Sequence, residues 1–143
     1  FGDILGADGE IDRRKLGGIV FADEDARRKL NSIVHPAVMA ESRAQIENAR
    51  ASGAKMCILD VPLLFETGME KLCDETWLIY VPREEQIRRM AERDGLDAAA
   101  AAARIDSQMP LEEKLKRADV AIDSSGTIEQ TREKLRRLWE ERT

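Results

Sequence analysis

Residues 76–82 read TWLIYVP, an apolar run with the β-branched and aromatic side chains that strands favour. Residues 56–61, which read MCILDV, have the same form, and residues 118–123, ADVAID, are a weaker third copy. A continuous apolar run that is too short for a helix is typical of a strand buried on both faces, as in a parallel sheet. The sequence therefore predicts three parallel strands.

Helical periodicity dominates the chain before residues 56–61. Asp23 caps a helix whose apolar residues recur at helical spacing. The pair His35 and Pro36 is expected to end that helix, because proline restricts the residue before it. Pro36 then opens a second, largely exposed helix that runs to Ser52 and stops at Gly53.

Four more helices are predicted after residues 76–82. One covers Arg83–Arg93 and stops at Gly95, an alanine-rich helix is capped by Asp97, a short helix is opened by Pro110, and the last is capped by Thr127. The order of strands and helices predicts a three-layer α/β fold with crossover helices on both faces of a parallel sheet.

Length and composition limit the possible functions. A chain of 143 residues with 43% hydrophobic residues is expected to form one domain, and a net charge of −5 argues against nucleic acid as the partner. No apolar run approaches the roughly 20 residues that span a bilayer. One histidine and two cysteines cannot form a four-ligand zinc site, and the charged composition favours a cytoplasmic location.

Several residues could carry chemistry. Ligands of parallel sheets bind at the carboxyl ends of the strands, so Asp60 either holds a metal-bound water or accepts a proton, or else is a helix cap or a surface acid. Arg104 and Gln108 lie four residues apart, as do Arg89 and Arg93, and such pairs suit either phosphate oxygens or a solvated face laced with ion pairs. His35 either binds a ligand or caps a helix.

Longer motifs add to this pattern and occur in order along essentially the whole chain. They are FG at residues 1–2, DGEIDRRKLG at 8–17, IVHP at 33–36, LDVPLLFETG at 59–68, VP at 81–82, Gln86, Arg89, RDG at 93–95, RI at 104–105, QMP at 108–110, Lys114, RAD at 117–119 and IDSSG at 122–126. In these motifs the sequence closely resembles the dephospho-coenzyme A kinase family.

The resemblance implies an enzyme with a P-loop kinase fold. Members of this family transfer the γ-phosphoryl group of ATP, bound with Mg²⁺ as co-substrate, to the ribose 3′-hydroxyl of dephospho-coenzyme A. This is the last step of coenzyme A biosynthesis. The resemblance also implies a single kinase domain over residues 1–143, with a helical acceptor-side segment at 12–53 and a lid at 94–117.

The resemblance further implies roles for particular residues. Arg104 is the expected catalytic residue of the lid. Asp60 is the second expected catalytic residue and an indirect magnesium partner, but by its position at the end of a predicted strand and not by the resemblance, and no direct metal ligand is expected. Arg104 and Gln108 lie in the lid that closes over the phosphates of ATP, and Ser124 and Gly126 lie beside its adenine. The expected substrate-binding residues on the acceptor side are His35, Pro36, Pro62, Leu63, Leu64, Phe65 and Glu66.

The sequence departs from the family in one respect. No Gly-x-x-x-x-Gly-Lys-[Ser/Thr] stretch is present. Family members carry this loop near the N-terminus, after a central strand that lies between those matching residues 56–61 and 76–81. We therefore expect a chain that begins after the loop, an incomplete sheet, and no activity without the loop. Ser124 also replaces an asparagine that is frequent in the family.

Two other functions remain open at this point. The first is a non-catalytic fragment that binds a ligand of the coenzyme A type and has lost its nucleotide site. The second is a related small-molecule or nucleotide kinase with a different acceptor, which the run Asp60–Gly68 and the pair His35 and Pro36 speak against. A strand and a glycine-rich Lys-[Ser/Thr] loop, if the gene encodes them ahead of Phe1, would favour the dephospho-coenzyme A kinase over the non-catalytic fragment.

Overall fold

The computed structural model describes residues 1–142, apart from the side chain of Phe21. These residues form two compact units, Phe1–Leu59 and the chain from Asp60 onward. The single kinase domain over residues 1–143 stays a prediction.

The first unit is helical. A loop closed by a bridge between Leu5 and Ile11 leads into α1 (Arg13–Ala22), and α2 (Glu24–Ala51) follows at once. Asp23 serves both helices. Its backbone N–H donates to the Ile19 carbonyl at the end of α1, and its carboxylate accepts from two N–H groups in the first turn of α2. One aspartate therefore ends one helix and begins the next.

Helix α2 runs without interruption through Pro36. The predicted break at His35 and Pro36, with a new helix starting there, is therefore wrong, and His35 caps no helix end. Proline removes one backbone donor and costs about 3 kcal/mol in a helix interior. The residues that follow Pro36 include the strong helix formers Ala37, Met39 and Ala40. Side-chain pairs such as Gln45 with Glu41 and Arg50 with Glu47 support the later turns.

The second unit is built on a pair of parallel strands. Strand β1 (Trp77–Tyr80) pairs with β2 (Val120–Asp123), and Trp77 stands opposite Val120. The crossover between them consists of α3 (Arg83–Asp94), α4 (Ala98–Asp106) and α5 (Leu111–Arg117), and α6 (Ile128–Glu140) follows β2. Parallel strands joined by helices confirm the predicted α/β class.

The helices of the second unit begin and end at the residues that the sequence indicates. Gly95 has a φ of 67°, a left-handed conformation that ends α3. The carboxylate of Asp97 accepts from Ala100 N–H at the start of α4. Thr127 and Gln130 form a reciprocal capping box at the start of α6.

Hydrogen bonds hold both ends of the strand pair. At its start, one carboxylate oxygen of Asp119 accepts from the Thr76 N–H at 2.8 Å and from the Thr76 hydroxyl at 2.7 Å. At its end, the Ser124 N–H donates to the Tyr80 carbonyl at 2.8 Å. Thr76 is buried, so these bonds satisfy a polar group inside the unit. The apolar core beside it consists of Phe65, Met69, Val81, Ala101 and Ile122.

Residues 56–61 form no strand, contrary to the sequence prediction. A strand is defined by a hydrogen-bonded neighbour, and none of the described residues pairs with this segment. Its apolar side chains are correspondingly open, with Ile58 71% and Met56 43% exposed, whereas burial on both faces is expected for such a run. The resemblance assigns as its neighbour a strand that the described residues do not include.

Across residues 1–142, no helix combines the length and the apolar character needed to cross a membrane.

The strand pair offers a test of where the core lies. Ile79 and Ile122 stand opposite each other, but Ile122 is 2% exposed and Ile79 is 52% exposed. We expect Ile122→Ala to lower the free energy of unfolding by about 3 kcal/mol, since it leaves a cavity. Ile79→Ala should lower it by less than about 1 kcal/mol. Urea unfolding followed by the fluorescence of Trp77 and Trp139 measures both, and equal losses would contradict the described core.

The link between Thr76 and Asp119 makes a second prediction, about pH. The Thr76 hydroxyl and then the Thr76 N–H lower the pKa of Asp119 below its ordinary value of 3.8. A carboxyl group whose pKa is lowered in the folded state stabilises the fold at pH values above its ordinary pKa. This stabilisation is lost as the pH falls from the ordinary pKa through the folded-state pKa. We therefore expect the difference in urea midpoint between wild type and Thr76→Val to shrink between about pH 7 and about pH 3.

Thr131→Val is the matched control for this pH prediction. The Thr131 hydroxyl donates to the Thr127 carbonyl, an acceptor that does not titrate. Its effect on the urea midpoint should therefore be the same at both pH values. A Thr76→Val difference that is equally constant would disprove the role of the Asp119 carboxylate.

Candidate functional site

The loop at residues 62–68, called the acceptor loop after the role that the resemblance implies for it, begins two residues after the exposed Asp60. It is a run of turns that leads into a short 3₁₀ helix at Met69–Leu72. Phe65 is 6% exposed and anchors the loop in the core, and the Thr67 hydroxyl donates to the Leu63 carbonyl at 2.8 Å. Pro62 and Leu63 stay exposed. The loop is therefore fixed at one point and open beside it.

Glu66 carries the loop's only carboxylate, and that carboxylate is engaged. One of its oxygens, Oε1, lies 2.8 Å from Lys114 Nζ and accepts from the Met109 N–H at 3.0 Å. Burial raises the pKa of Glu66, but the hydrogen bonds from Lys114 and from backbone N–H groups outweigh it, so the pKa lies below its ordinary value. Glu66 is therefore ionised at neutral pH.

The predicted lid at residues 94–117 consists of α4, α5 and the links beside them. Arg104, on α4, is paired with Asp94 at 3.0 Å and its side chain is 46% exposed. Gln108 follows α4, and its side-chain oxygen accepts from Lys114 Nζ at 3.3 Å. Lys114 therefore binds a residue of the lid and a residue of the acceptor loop at once.

The start of α3 is also tied to the lid. The Arg83 guanidinium donates two hydrogen bonds to the Asp106 carboxylate, at 2.5 and 2.9 Å. Such a planar two-point pair fixes direction as well as distance. Arg83 lies three residues beyond the end of β1, so the last residue of α4 is held near that end of the strand.

The loop after β2 is held from three sides. The Ser124 hydroxyl donates to the Tyr80 carbonyl at 3.1 Å, the Ser124 carbonyl accepts from Arg89 at 3.0 Å, and Lys134 donates to the Asp123 carbonyl at 2.7 Å. A Cβ atom at Gly126 would lie 2.1 Å from Gln130 Oε1. Because Gln130 is committed to the cap of α6, glycine fits this position best.

The arginines of α3 divide into two groups by their partners. Arg88 is paired with Glu85 and Glu92 on the surface of the helix, as the solvated-face alternative predicts. Arg89 also binds Glu85 but reaches the Ser124 carbonyl. Hydrogen bonds from Arg88 and then Arg89 lower the pKa of Glu85 to about 2.

The structure brings together only some of the predicted site residues. Glu66 and Gln108 share Lys114, whereas Ser124 and Gly126 lie in the loop after β2. His35 is half-buried in the middle of α2 and Pro36 is exposed beside it, both in the first unit. No group of three or more His, Cys, Asp or Glu side chains in the described residues is placed to hold a metal ion.

The contacts of three charged residues at this site were not predicted from the sequence. Lys114 joins the acceptor loop to the lid, Arg89 joins α3 to the Ser124 carbonyl, and Asp94 holds Arg104. The sequence signals were the family motifs that contain Lys114, Arg89 and Asp94. Those motifs do not say which residue each charge meets.

Comparison with known proteins shows which family the chain belongs to. The family model for "Dephospho-CoA kinase" matches residues 1–130. The dephospho-CoA kinase of Carboxydothermus hydrogenoformans is 53% identical over 133 residues, which is 93% of this chain and 65% of that protein. The dephospho-CoA kinase of Geobacillus kaustophilus is 50% identical over 92% of this chain and 66% of that protein. The chain thus spans about two thirds of the length of these relatives.

Two solved structures agree with these relatives. Dephospho-CoA kinase from Campylobacter jejuni superposes with a TM-score of 0.70 at 33% identity, covering 99% of this chain and 70% of that one. TT1252 from Thermus thermophilus gives a TM-score of 0.75 at 36% identity, covering 98% and 71%. The fold and its neighbours place the chain in the P-loop kinase class. Within that class, the chain belongs to the dephospho-CoA kinase family.

Proposed function

We propose that this protein transfers the γ-phosphoryl group of ATP to the ribose 3′-hydroxyl of dephospho-CoA. The observation that carries the proposal is the 53% identity to a dephospho-CoA kinase along 93% of the chain. Neither a non-catalytic ligand-binding fragment nor a kinase with another acceptor has comparable support. The charged composition supports a cytoplasmic location for this reaction.

The residues proposed to bind the acceptor are Pro62 to Glu66 of the acceptor loop in the second unit and, separately, His35 and Pro36 of α2 in the first unit. The loop suits this role because Phe65 anchors it in the core while Pro62 and Leu63 stay exposed. A fixed loop with an open apolar edge can orient a substrate without having to order itself first. His35, half-buried in mid-helix, is proposed to contact the acceptor as well.

Arg104 is the proposed catalytic residue of the lid. Negative charge spreads over the phosphoryl oxygens in the transition state, and a guanidinium that arrives as the lid closes neutralises it. The Arg104 side chain is 46% exposed and is held by Asp94, a partner that phosphate oxygens can replace. Gln108 is proposed to bind the phosphates beside it, and the loop of Ser124 and Gly126 to contact the adenine.

Mg²⁺ is proposed to accompany ATP as part of the co-substrate. Magnesium usually keeps several waters and takes one or two carboxylates together with substrate phosphates. The exposed Asp60, at the start of the acceptor loop, is the proposed carboxylate that reaches the ion through water.

The proposed reaction also requires a phosphate-binding loop. The sequence Gly-x-x-x-x-Gly-Lys-[Ser/Thr] does not occur in residues 1–143. The activity is therefore proposed for the protein in which this chain and such a loop are present together. Experiments on activity should use the protein expressed from its complete gene.

Arg104 provides the test of the proposed mechanism. We expect Arg104→Ala to lower kcat by about a hundredfold or more, as expected when an arginine that stabilises the transition state is lost. Initial rates of ADP release in the presence of dephospho-CoA measure the effect. Arg88→Ala is the matched control, because Arg88 lies on the surface of α3 and binds only Glu85 and Glu92 in the contacts described above.

The control should keep nearly the full rate. If Arg104→Ala and Arg88→Ala both retain wild-type turnover, Arg104 is a surface residue of the lid and does not stabilise the transition state. If the wild-type protein itself releases no ADP that depends on dephospho-CoA, the proposed function is wrong.

A further inference from the structure

One ion pair of the second unit differs from the others in its surroundings. The side chain of Lys114 is 13% exposed and that of Glu66 is 20% exposed, the lowest values for both partners of any ion pair in the described residues. Several of the other pairs join residues three or four apart on one helix, such as Glu113 with Lys116, whose side chains are 48% and 69% exposed. Exposed pairs of that kind contribute little to structure.

The Glu66–Lys114 pair also joins two parts of the site. Glu66 belongs to the acceptor loop, whereas Lys114 lies on α5 at the end of the lid. The same carboxylate accepts from the Met109 N–H at 3.0 Å, and the same ammonium donates to Gln108 at 3.3 Å. The lid residues next to Pro110 are therefore held through both members of the pair.

Helix α5 needs such a link because it is short. It has 7 residues, and no side chain caps its first turn. Helices of this length are not stable by themselves in water, so their position depends on contacts with other parts of the protein. The Glu66–Lys114 pair supplies a contact that is shielded from water and fixed in direction by three hydrogen-bonding groups.

We propose that Glu66 and Lys114 are positioning residues that hold Gln108 and Met109, at the end of the lid, against the acceptor loop. This inference rests on the proposed function and changes the role that the resemblance implies for Glu66. We expect its carboxylate not to bind the acceptor, because its Oε1 atom already accepts from Lys114 Nζ and from the Met109 N–H. Its effect on the reaction passes through the placement of Gln108.

The two roles of Glu66 differ in their kinetic signature. A residue that binds dephospho-CoA directly raises KM when it is replaced, whereas a residue that positions the lid lowers kcat. We expect Glu66→Gln to lower kcat by about tenfold to a hundredfold, with a change in KM for dephospho-CoA below about threefold. Lys114→Met should do the same, and the double variant should be no worse than the poorer single variant.

Conservative and control variants separate positioning from a general loss of structure. Lys114→Arg keeps the charge and should retain most of kcat. Glu113→Gln and Lys116→Met break a surface pair on the same helix and should leave kcat unchanged. Hydrogen exchange followed by mass spectrometry should show faster exchange over residues 107–114 in Glu66→Gln than in Glu113→Gln. The exchange measurement needs no turnover.

The outcomes are distinct. A raised KM with unchanged kcat in Glu66→Gln would assign Glu66 to the acceptor and overturn the inference. Kinetics and exchange equal to those of the Glu113→Gln control would reduce the pair to a structural contact and also overturn it. If the wild-type protein transfers no phosphoryl group, the proposed function fails. Unchanged exchange in Glu66→Gln would then show separately that the pair does not order the lid end.

Discussion

The pairing of β1 with β2 is the constraint on which the rest of the second unit depends. Two parallel strands can be joined only by a crossover, and here that crossover supplies α3 and the predicted lid. The pair is closed at its start by Asp119 and Thr76 and at its end by Ser124 and the Tyr80 carbonyl. The loop proposed to meet the adenine therefore begins at a fixed point.

Charge is used in two ways around this strand pair. Most ion pairs join two residues of the same helix near its surface, as Arg50 and Glu47 do in α2 and Arg136 and Glu133 do in α6. Such pairs support the helix and keep the surface charged. A few join distant parts of the chain, such as Arg83 with Asp106 and Lys114 with Glu66. These long-range pairs tie the predicted lid to α3 and to the acceptor loop, and the side chain of Arg104 in the same segment is 46% exposed.

Much of this architecture could be predicted from local sequence. The two paired strands and the helix boundaries at Gly95, Asp97 and Thr127 depend on neighbouring residues, and the structure has them where they are expected. Residues 56–61 could not be predicted in this way. Their apolar composition indicates a strand, but a strand also needs a neighbour, which local composition does not reveal.

The candidate site shows the same division. The motifs point to the acceptor loop and the lid, but the contact between Glu66 and Lys114 depends on how the crossover returns to the sheet. Pro36 is a different case, since the local rule predicts a break but the 28-residue helix α2 continues through it, with strong helix formers such as Ala37 and Ala40 after it. Local rules succeed where neighbours decide, and they fail where distant residues or a long helix decide.

The central claim is that this family member phosphorylates the 3′-hydroxyl of dephospho-CoA. The most direct measurement compares phosphoryl transfer from ATP to dephospho-CoA and to its 3′-deoxy analogue, using the protein expressed from its complete gene. The account predicts a phosphorylated product from dephospho-CoA and none from the analogue. Equal transfer to both compounds, or none to dephospho-CoA, would contradict it.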